Sequence, residues 1–231
     1  SLLQRRCWLG EALQAELQAV IAWAQPQVDQ SWPAGVGARA MLGLAWAWLS
    51  AAGDGAVRQQ AARAVDGGSM SLARSGLAAL QPLDCPERQL ATTAFAKRWR
   101  DRPVILDAWF AMEASAPFGD GIARADALLQ DPAFDPNAPN SLRAVLGGFG
   151  RCAEHFHRTD GRGYQWMAQQ LVAVDQRNPI AASRMLKLFM GWRRYSPERQ
   201  QLMRSSLEWL AENLTSPNSK EVVMLCLGAA D

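Results

Sequence analysis

The helical character of the chain is clearest in residues 103–114, which read PVILDAWFAMEA. Apolar side chains recur there at Ile105, Ala108, Trp109 and Met112, and these steps of three and four residues lie on one face of an α-helix. Pro103 suits the first position of that helix, because proline lacks the amide hydrogen that this position leaves unpaired. The stretch therefore predicts an amphipathic helix that begins at Pro103.

The same spacing recurs on both sides of this stretch, and no alternating pattern typical of β-strands competes with it. Four further segments match the helical spacing: residues 13–24, 142–149, 164–171 and 185–192. Residues 41–49 are apolar on every side, which predicts a helix buried between neighbouring helices. We expect about a dozen helices of roughly 10–20 residues, joined by short connectors.

Capping and turn residues separate the predicted helices. Asn178 and Ser196 each precede a proline, an arrangement in which the side chain caps the first turn of a helix. Residues 161–163, Gly-Arg-Gly, predict a turn before a helix near Tyr164. Short connectors make successive helices antiparallel, and such pairs stack into a solenoid or a bundle. No low-complexity linker divides the chain, so we predict one all-α domain over residues 1–231.

The composition is that of a globular protein and argues against several functional classes. Apolar residues make up 49% of the chain, and 24 Lys and Arg against 22 Asp and Glu leave a net charge of +2. This small, evenly spread charge argues against a nucleic-acid partner. No run of about 18 apolar residues is present, so we expect no membrane span. The four cysteines lie far apart in the sequence, and we interpret them as reduced thiols of a cytoplasmic protein.

The sequence lacks the residues of a complete peptidase active site. A zinc peptidase of the HExxH type needs two histidines one helical turn apart and a glutamate base between them. His155 and His157 are only two residues apart and would point to different faces of a helix. We interpret them as a surface helix end, and we predict neither a metal ligand nor a catalytic residue in this chain.

Two arginines carry a functional hypothesis. If residues 185–192 form a helix with a buried apolar stripe, Arg184, Lys187 and Arg194 lie on the opposite face. Arg143 similarly lies beside the buried stripe of its own helix. A guanidinium group suits the recognition of carboxylates, such as the C-terminus of a peptide. The pattern leaves open the alternative of a solvated basic face without a ligand.

Longer stretches of the sequence follow the pattern of one known family. Residues 98–110, RWRDRPVILDAWF, match W-x-x-x-P-L-V-x-D-K-W-F, and residues 128–134, LLQDPAF, match L-L-x-H-P-x-F. Residues 139–149, PNSLRAVLGGF, are similar to P-N-R-x-R-x-L-x-G-x-F, and five shorter matches follow in the family's order. From about Met70 to Trp209 the chain thus resembles the C-terminal domain of bacterial aminopeptidase N, a zinc metallopeptidase of the gluzincin family.

The resemblance implies a superhelical stack of antiparallel helix pairs, an α-solenoid of the ARM or HEAT kind. In the family this region closes over the catalytic domain and lines an internal substrate chamber. The chain would then be a C-terminal fragment of a zinc-dependent aminopeptidase that removes N-terminal amino acids from peptides. The catalytic domain of the same polypeptide would hold the zinc ion. We therefore expect this chain to be inactive alone, to need no cofactor, and to expose an apolar patch where that domain docks.

The resemblance also implies roles for individual residues. Arg143 and Arg184 match family arginines that face the chamber, which implies contact with the carboxylate end or backbone of peptide substrates. The sequence departs from the family pattern where Ala108 replaces a lysine, Asp131 a histidine and Ser141 an arginine, so we expect a less positive lining. A stand-alone helical-repeat adaptor that binds a protein partner through a concave face is the alternative function.

Overall fold

The computed structural model describes residues 2–228, apart from the side chain of Ala34. These residues form fourteen α-helices and three short 3-10 helices, with no β-strand among them. The all-helical prediction is therefore confirmed. Their contacts divide the chain into two compact units, the first ending at Arg100 and the second beginning at Asp101. That residues 1–231 behave as one domain stays a prediction.

The first unit is built around one long central helix. Its helices are α1 (Leu2–Ala12), α2 (Gln14–Ala24), α3 (Ala34–Ala51), α4 (Gly55–Asp66), α5 (Met70–Leu80) and α6 (Pro86–Arg98), and Gln25–Gln27 form a 3-10 turn. Helix α3 packs against α1, α2 and α5, and α4 packs against α5 and α6. Leu42, Trp46 and Leu49 of α3 are buried in the resulting core because they recur on its inner face.

Only one side of α3 is buried, so the prediction of a helix enclosed by its neighbours is wrong for this helix. Val36, Met41 and Leu44 are 42%, 39% and 41% exposed, although they belong to a helix with a single charged residue. That residue, Arg39, turns its guanidinium to the carbonyl oxygens of the preceding loop and does not cover the apolar side chains. We call Val36, Met41 and Leu44 the open face of α3.

The second unit contains the remaining eight α-helices. They are α7 (Pro103–Ala114), α8 (Gly121–Leu129), α9 (Pro139–Arg151), α10 (Ala153–Phe156), α11 (Arg162–Asp175), α12 (Pro179–Leu186), α13 (Pro197–Asn213) and α14 (Pro217–Gly228). Helix α7 packs along α9, and α11 packs against α12 and α13. Aromatic side chains from α7, α9, α10, α11 and the segment after α12 fill its core: Phe110, Phe149, Phe156, Tyr164 and Phe189.

Most predicted helix starts in this unit are confirmed. Pro103 begins α7, and Asn178 caps α12 by accepting a hydrogen bond from the Ala181 amide at 3.0 Å. Pro197 begins α13 as expected, but the side chain of Ser196 makes no capping hydrogen bond, so that part of the prediction is wrong. The turn at Gly161 is present, and its positive φ of 73° is a backbone conformation that glycine adopts without strain.

The helix predicted over residues 185–192 is wrong beyond Leu186, where α12 ends. Two 3-10 turns follow, Lys187–Phe189 and Trp192–Arg194. The indole of Trp192 donates to the Cys226 carbonyl oxygen at 2.9 Å, and Arg193 donates to the same oxygen at 2.8 Å. These hydrogen bonds to the end of α14 keep the segment from continuing α12 as a regular helix. The spacing of nearby residues in the sequence does not predict them, because Cys226 is at least 33 residues away.

None of the helices between Leu2 and Gly228 combines the length and the apolar character that a bilayer-spanning segment needs.

Candidate functional site

A cavity of about 350 Å³ lies beside α9 and α12, which pack against each other in the second unit. Four cationic side chains line it: Arg143 and Arg151 of α9, Arg184 of α12, and Lys187 directly after α12. We call this cavity the basic groove. The two arginines singled out from the sequence therefore lie in one site, whereas Arg194, predicted to share a face with Arg184, does not line it.

The periodicity of α9 explains how its cations come together. Arg143, Gly147 and Arg151 follow at steps of four residues, so they lie along one side of the helix. A Cβ atom at Gly147 would lie 3.4 Å from Arg143 Cγ and 3.4 Å from Arg151 Nη1. Both side chains therefore border the space that the glycine leaves free. A larger residue at position 147 would fill the groove between them.

The cations of the basic groove have few partners. Arg143 Nη2 donates to Asn140 Oδ1 at 3.0 Å. Within residues 2–228, the side chains of Arg151, Arg184 and Lys187 have no hydrogen bond or ion pair, and all four cations are exposed. No carboxylate lines the cavity. The groove is consequently a site of positive potential with free donors, as anion recognition requires.

An acidic residue borders a neighbouring hollow of about 230 Å³, which is also lined by Arg143 and Arg151. This residue, Asp107, accepts a hydrogen bond from Ser141 Oγ at 2.8 Å. Ser141 is itself buried, at the position where the family pattern led us to expect an arginine. The serine thus donates to a carboxylate that borders the same hollow as Arg143 and Arg151, and it adds no charge to the groove.

The remainder of the groove is apolar. Met185 is buried, Leu188 is half-buried, and Ile180 is exposed at its edge. An apolar wall next to charged donors accommodates a ligand whose carboxylate is attached to a carbon chain. The geometry therefore suits the end of a peptide or another organic acid. Arg151 was missed from the sequence, although its spacing of eight residues from Arg143 places both on one side of α9. Lys187 was predicted to share a face with Arg184, and the packing of α12 on α9 brings these two cations to Arg143 and Arg151.

The chain is similar to known proteins over nearly all of its length. A family model described as a domain of unknown function with ARM repeats, DUF3458_C, matches residues 3–228. The chain belongs to this family. ARM repeats are stacked helices, so membership of this ARM-repeat domain family confirms the prediction of a helical solenoid.

Relatives of this ARM-repeat domain include two aminopeptidases. The chain is 39% identical over 143 residues to aminopeptidase N of Caulobacter vibrioides and 31% identical over 150 residues to aminopeptidase N of Escherichia coli. These matches cover 61% and 64% of this chain but only 17% of either relative. The resemblance to bacterial aminopeptidase N is therefore confirmed, and the chain corresponds to a small part of such an enzyme's length.

A solved structure has the same fold as the ARM-repeat domain. The crystal structure of Legionella pneumophila aminopeptidase A in complex with aspartic acid matches with a TM-score of 0.89 at 23% sequence identity. The match covers 98% of this chain and 28% of that one. It supports the fold over 98% of the chain, and so also over N-terminal helices that precede the stretch from Met70 to Trp209.

The two histidines of the ARM-repeat domain are not a surface helix end, and that interpretation is wrong. His155 is buried, and its Nε2 lies 3.0 Å from the Ala116 carbonyl oxygen. His157 is half-buried, with Tyr164 Oη 2.8 Å from Nδ1 and Tyr195 Oη 2.9 Å from Nε2. Partners from other segments of the chain hold both rings, which sequence spacing cannot reveal. Between residues 2 and 228, no three His, Cys, Asp or Glu side chains group in a way that could hold a metal ion.

The surroundings of His157 predict a pH-dependent stability. Burial, together with the nearby charge of Arg199, lowers the pKa of His157 below its ordinary value of 6.5. The neutral ring is therefore favoured in the folded state, and the stability it contributes is present above pH 6.5 and lost as the pH falls through the lowered pKa. We expect urea unfolding to show a lower free energy at pH 5 than at pH 7.5.

The variant His157→Phe tests this origin. It loses the hydrogen bonds to Tyr164 and Tyr195, so we expect it to be less stable than the wild type at pH 7.5 by about 1–2 kcal/mol. Its stability would change less between pH 7.5 and pH 5. An equally steep loss in the variant and the wild type would contradict the assignment to His157.

Proposed function

We propose that this chain is the non-catalytic C-terminal domain of a zinc-dependent aminopeptidase that removes N-terminal amino acids from peptides. The similarity to two aminopeptidases N over 143 and 150 residues carries the proposal. The zinc ion and its ligands belong, in this proposal, to the catalytic domain of the same polypeptide, which works in the cytoplasm. The present domain closes over that catalytic domain and lines the chamber in which peptides are held.

The basic groove is the part of the domain that meets the substrate. Arg143 and Arg184 are exposed and line the same cavity, and neither is neutralised by a carboxylate of the groove. Their guanidinium groups can form paired hydrogen bonds with a carboxylate, so we assign them to the carboxylate end of the peptide. The groove thus holds the end of the substrate that does not react.

The open face of α3 is the surface that contacts the catalytic domain. A row of exposed apolar side chains on one helix is unfavourable in water and typical of a surface covered by a partner. The chain spans about 17% of the length of the two aminopeptidases N, so most of such a polypeptide lies outside it and is available to cover this face. This reading is favoured over a stand-alone adaptor, whose partner nothing in the comparisons suggests.

The proposal is tested by adding the purified chain to a separately expressed catalytic portion of the same enzyme. We expect the two to associate, and we expect hydrolysis of an alanyl anilide and of a tripeptide to change on association. The change Leu44→Asp places a charge on the open face of α3, and we expect it to weaken association at least tenfold because a buried unpaired charge is costly.

A matched control uses another exposed leucine. Leu90 lies on α6 and is 71% exposed, so Leu90→Asp introduces the same charge away from the open face of α3. We expect this control to bind as the wild type does. If two demonstrably folded partners neither associate nor affect each other's activity, the adaptor function becomes the better explanation.

A further inference from the structure

We infer that the basic groove is selective for a peptide end that carries two negative charges, the terminal carboxylate and an acidic side chain on the last residue. This inference rests on the proposed function, because it names the class of peptide that the same groove prefers. It is carried by Arg151 and Lys187, the two lining cations that the proposed function does not use.

The number of cations exceeds what one carboxylate needs. A single carboxylate has two oxygens, and Arg143 and Arg184 together satisfy them. Arg151 and Lys187 then remain as donors without a partner in the same cavity. Like charges that line one cavity repel one another, so a second negative charge on the ligand is favoured by the remaining pair.

The position of Arg151 supports this second subsite. Arg151 Nη1 and Arg143 Cγ each lie 3.4 Å from the position that a Cβ atom on Gly147 would occupy. The two atoms are therefore less than about 7 Å from each other. The Arg151 side chain therefore folds back along α9 towards Arg143 and does not extend away from the helix end. A ligand held by Arg143 is within reach of the Arg151 guanidinium.

The other walls of the groove fit the remaining parts of such a ligand. Met185 and Leu188 can contact the methylene groups that separate the two carboxylates of a terminal glutamate. No carboxylate is among the residues that line the groove, so none repels the ligand's second charge there. Asp107 borders the neighbouring hollow, where it accepts a hydrogen bond from Ser141. The apolar and charged surfaces together match a glutamate end better than a neutral one.

The inference is tested in the complete enzyme with two substrates, the tripeptides Ala-Ala-Glu and Ala-Ala-Gln. They differ by one charge at nearly constant shape. At low ionic strength we expect a KM for Ala-Ala-Glu about tenfold below that for Ala-Ala-Gln. The ratio should shrink in about 0.5 M salt, because exposed charges are screened.

Two variants test whether Arg151 and Lys187 cause the difference in KM between the two tripeptides. Arg151→Gln combined with Lys187→Gln should raise the KM for Ala-Ala-Glu to that for Ala-Ala-Gln. Arg194→Gln removes a cation that does not line the groove, and it should keep the wild-type ratio.

Equal KM values for the two tripeptides in the wild type at low ionic strength would overturn the inference. The assignment of Arg143 and Arg184 to the peptide end would still stand if their substitution raised both KM values, and it would fail together with the inference if that substitution had no effect. The proposed function as a C-terminal domain is tested separately, by association with the catalytic portion. Inorganic phosphate is added to the same assay as a free anion. If it changed kcat while Ala-Ala-Glu and Ala-Ala-Gln had equal KM values, the groove would bind a free anion and not a peptide end, and this result would also overturn the inference.

Discussion

Replacing Arg143 and Arg184 together by alanine in the complete enzyme is expected to raise the KM for tripeptides by at least tenfold and up to about 100-fold. A hydrogen bond to a charged group contributes about 1.5–3 kcal/mol, and exposure of both arginines favours the lower end, near tenfold for each. The KM for an alanyl anilide should stay within about twofold, because this small substrate has no carboxylate end to reach the groove. Steady-state kinetics with both substrates measure the difference.

The variant Arg194→Ala is the matched control for this experiment. Arg194 lies ten residues after Arg184 in the sequence and is also exposed, but it does not line the basic groove. We expect it to leave both KM values unchanged. If the double variant changed the KM for the tripeptide and the anilide by the same factor, the arginines would not bind the peptide end.

Replacing Asp175 by alanine is expected to lower the free energy of unfolding by about 3–5 kcal/mol. Asp175 ends α11 and is only 2% exposed. Its carboxylate accepts hydrogen bonds from the Thr215 amide at 2.9 Å, the Ser216 amide at 2.9 Å and the hydroxyl groups of both residues. These contacts join α11 to the start of α14, and alanine would leave several buried donors without a partner. Urea unfolding of wild type and variant measures the loss.

The charge of Asp175 also predicts the response to acid. Burial alone would raise the pKa of this carboxyl, but hydrogen bonds from Ser216 and Thr215 lower it to about 2, against an ordinary value of 3.8. The ionised form therefore stabilises the folded state above pH 3.8, and this contribution is lost as the pH falls towards 2. The lowered pKa corresponds to about 2 kcal/mol.

Asp175→Asn separates the charge from the shape of the side chain. It keeps the volume and one carbonyl oxygen, so it should be more stable than the alanine variant. It should also lack the Asp175 contribution to unfolding between pH 4 and pH 2. An unchanged acid response in the asparagine variant would show that the carboxylate is not responsible.

The sequence by itself determined the class of fold and most helix starts. Helical spacing is a local property, so residues 103–114 reveal α7 without knowledge of what it packs against. Proline and a capping side chain act within one helical turn, and this is why the starts at Pro103 and Pro179 are confirmed. The series of matches from about Met70 to Trp209 likewise carried the resemblance to aminopeptidase N, and it singled out Arg143 and Arg184.

The tertiary structure decided how distant segments meet. Only the packing of α12 on α9 brings Arg143 and Arg151 to Arg184 and Lys187, since α9 and α12 are separated in the chain by α10 and α11. The same holds for Trp192, which bonds to a carbonyl oxygen 34 residues away and lies beyond the end of α12. The open face of α3 follows the same principle. The spacing of apolar residues predicts which face of a helix is buried. Which neighbour covers that face depends on contacts between distant segments, and the local sequence does not determine them.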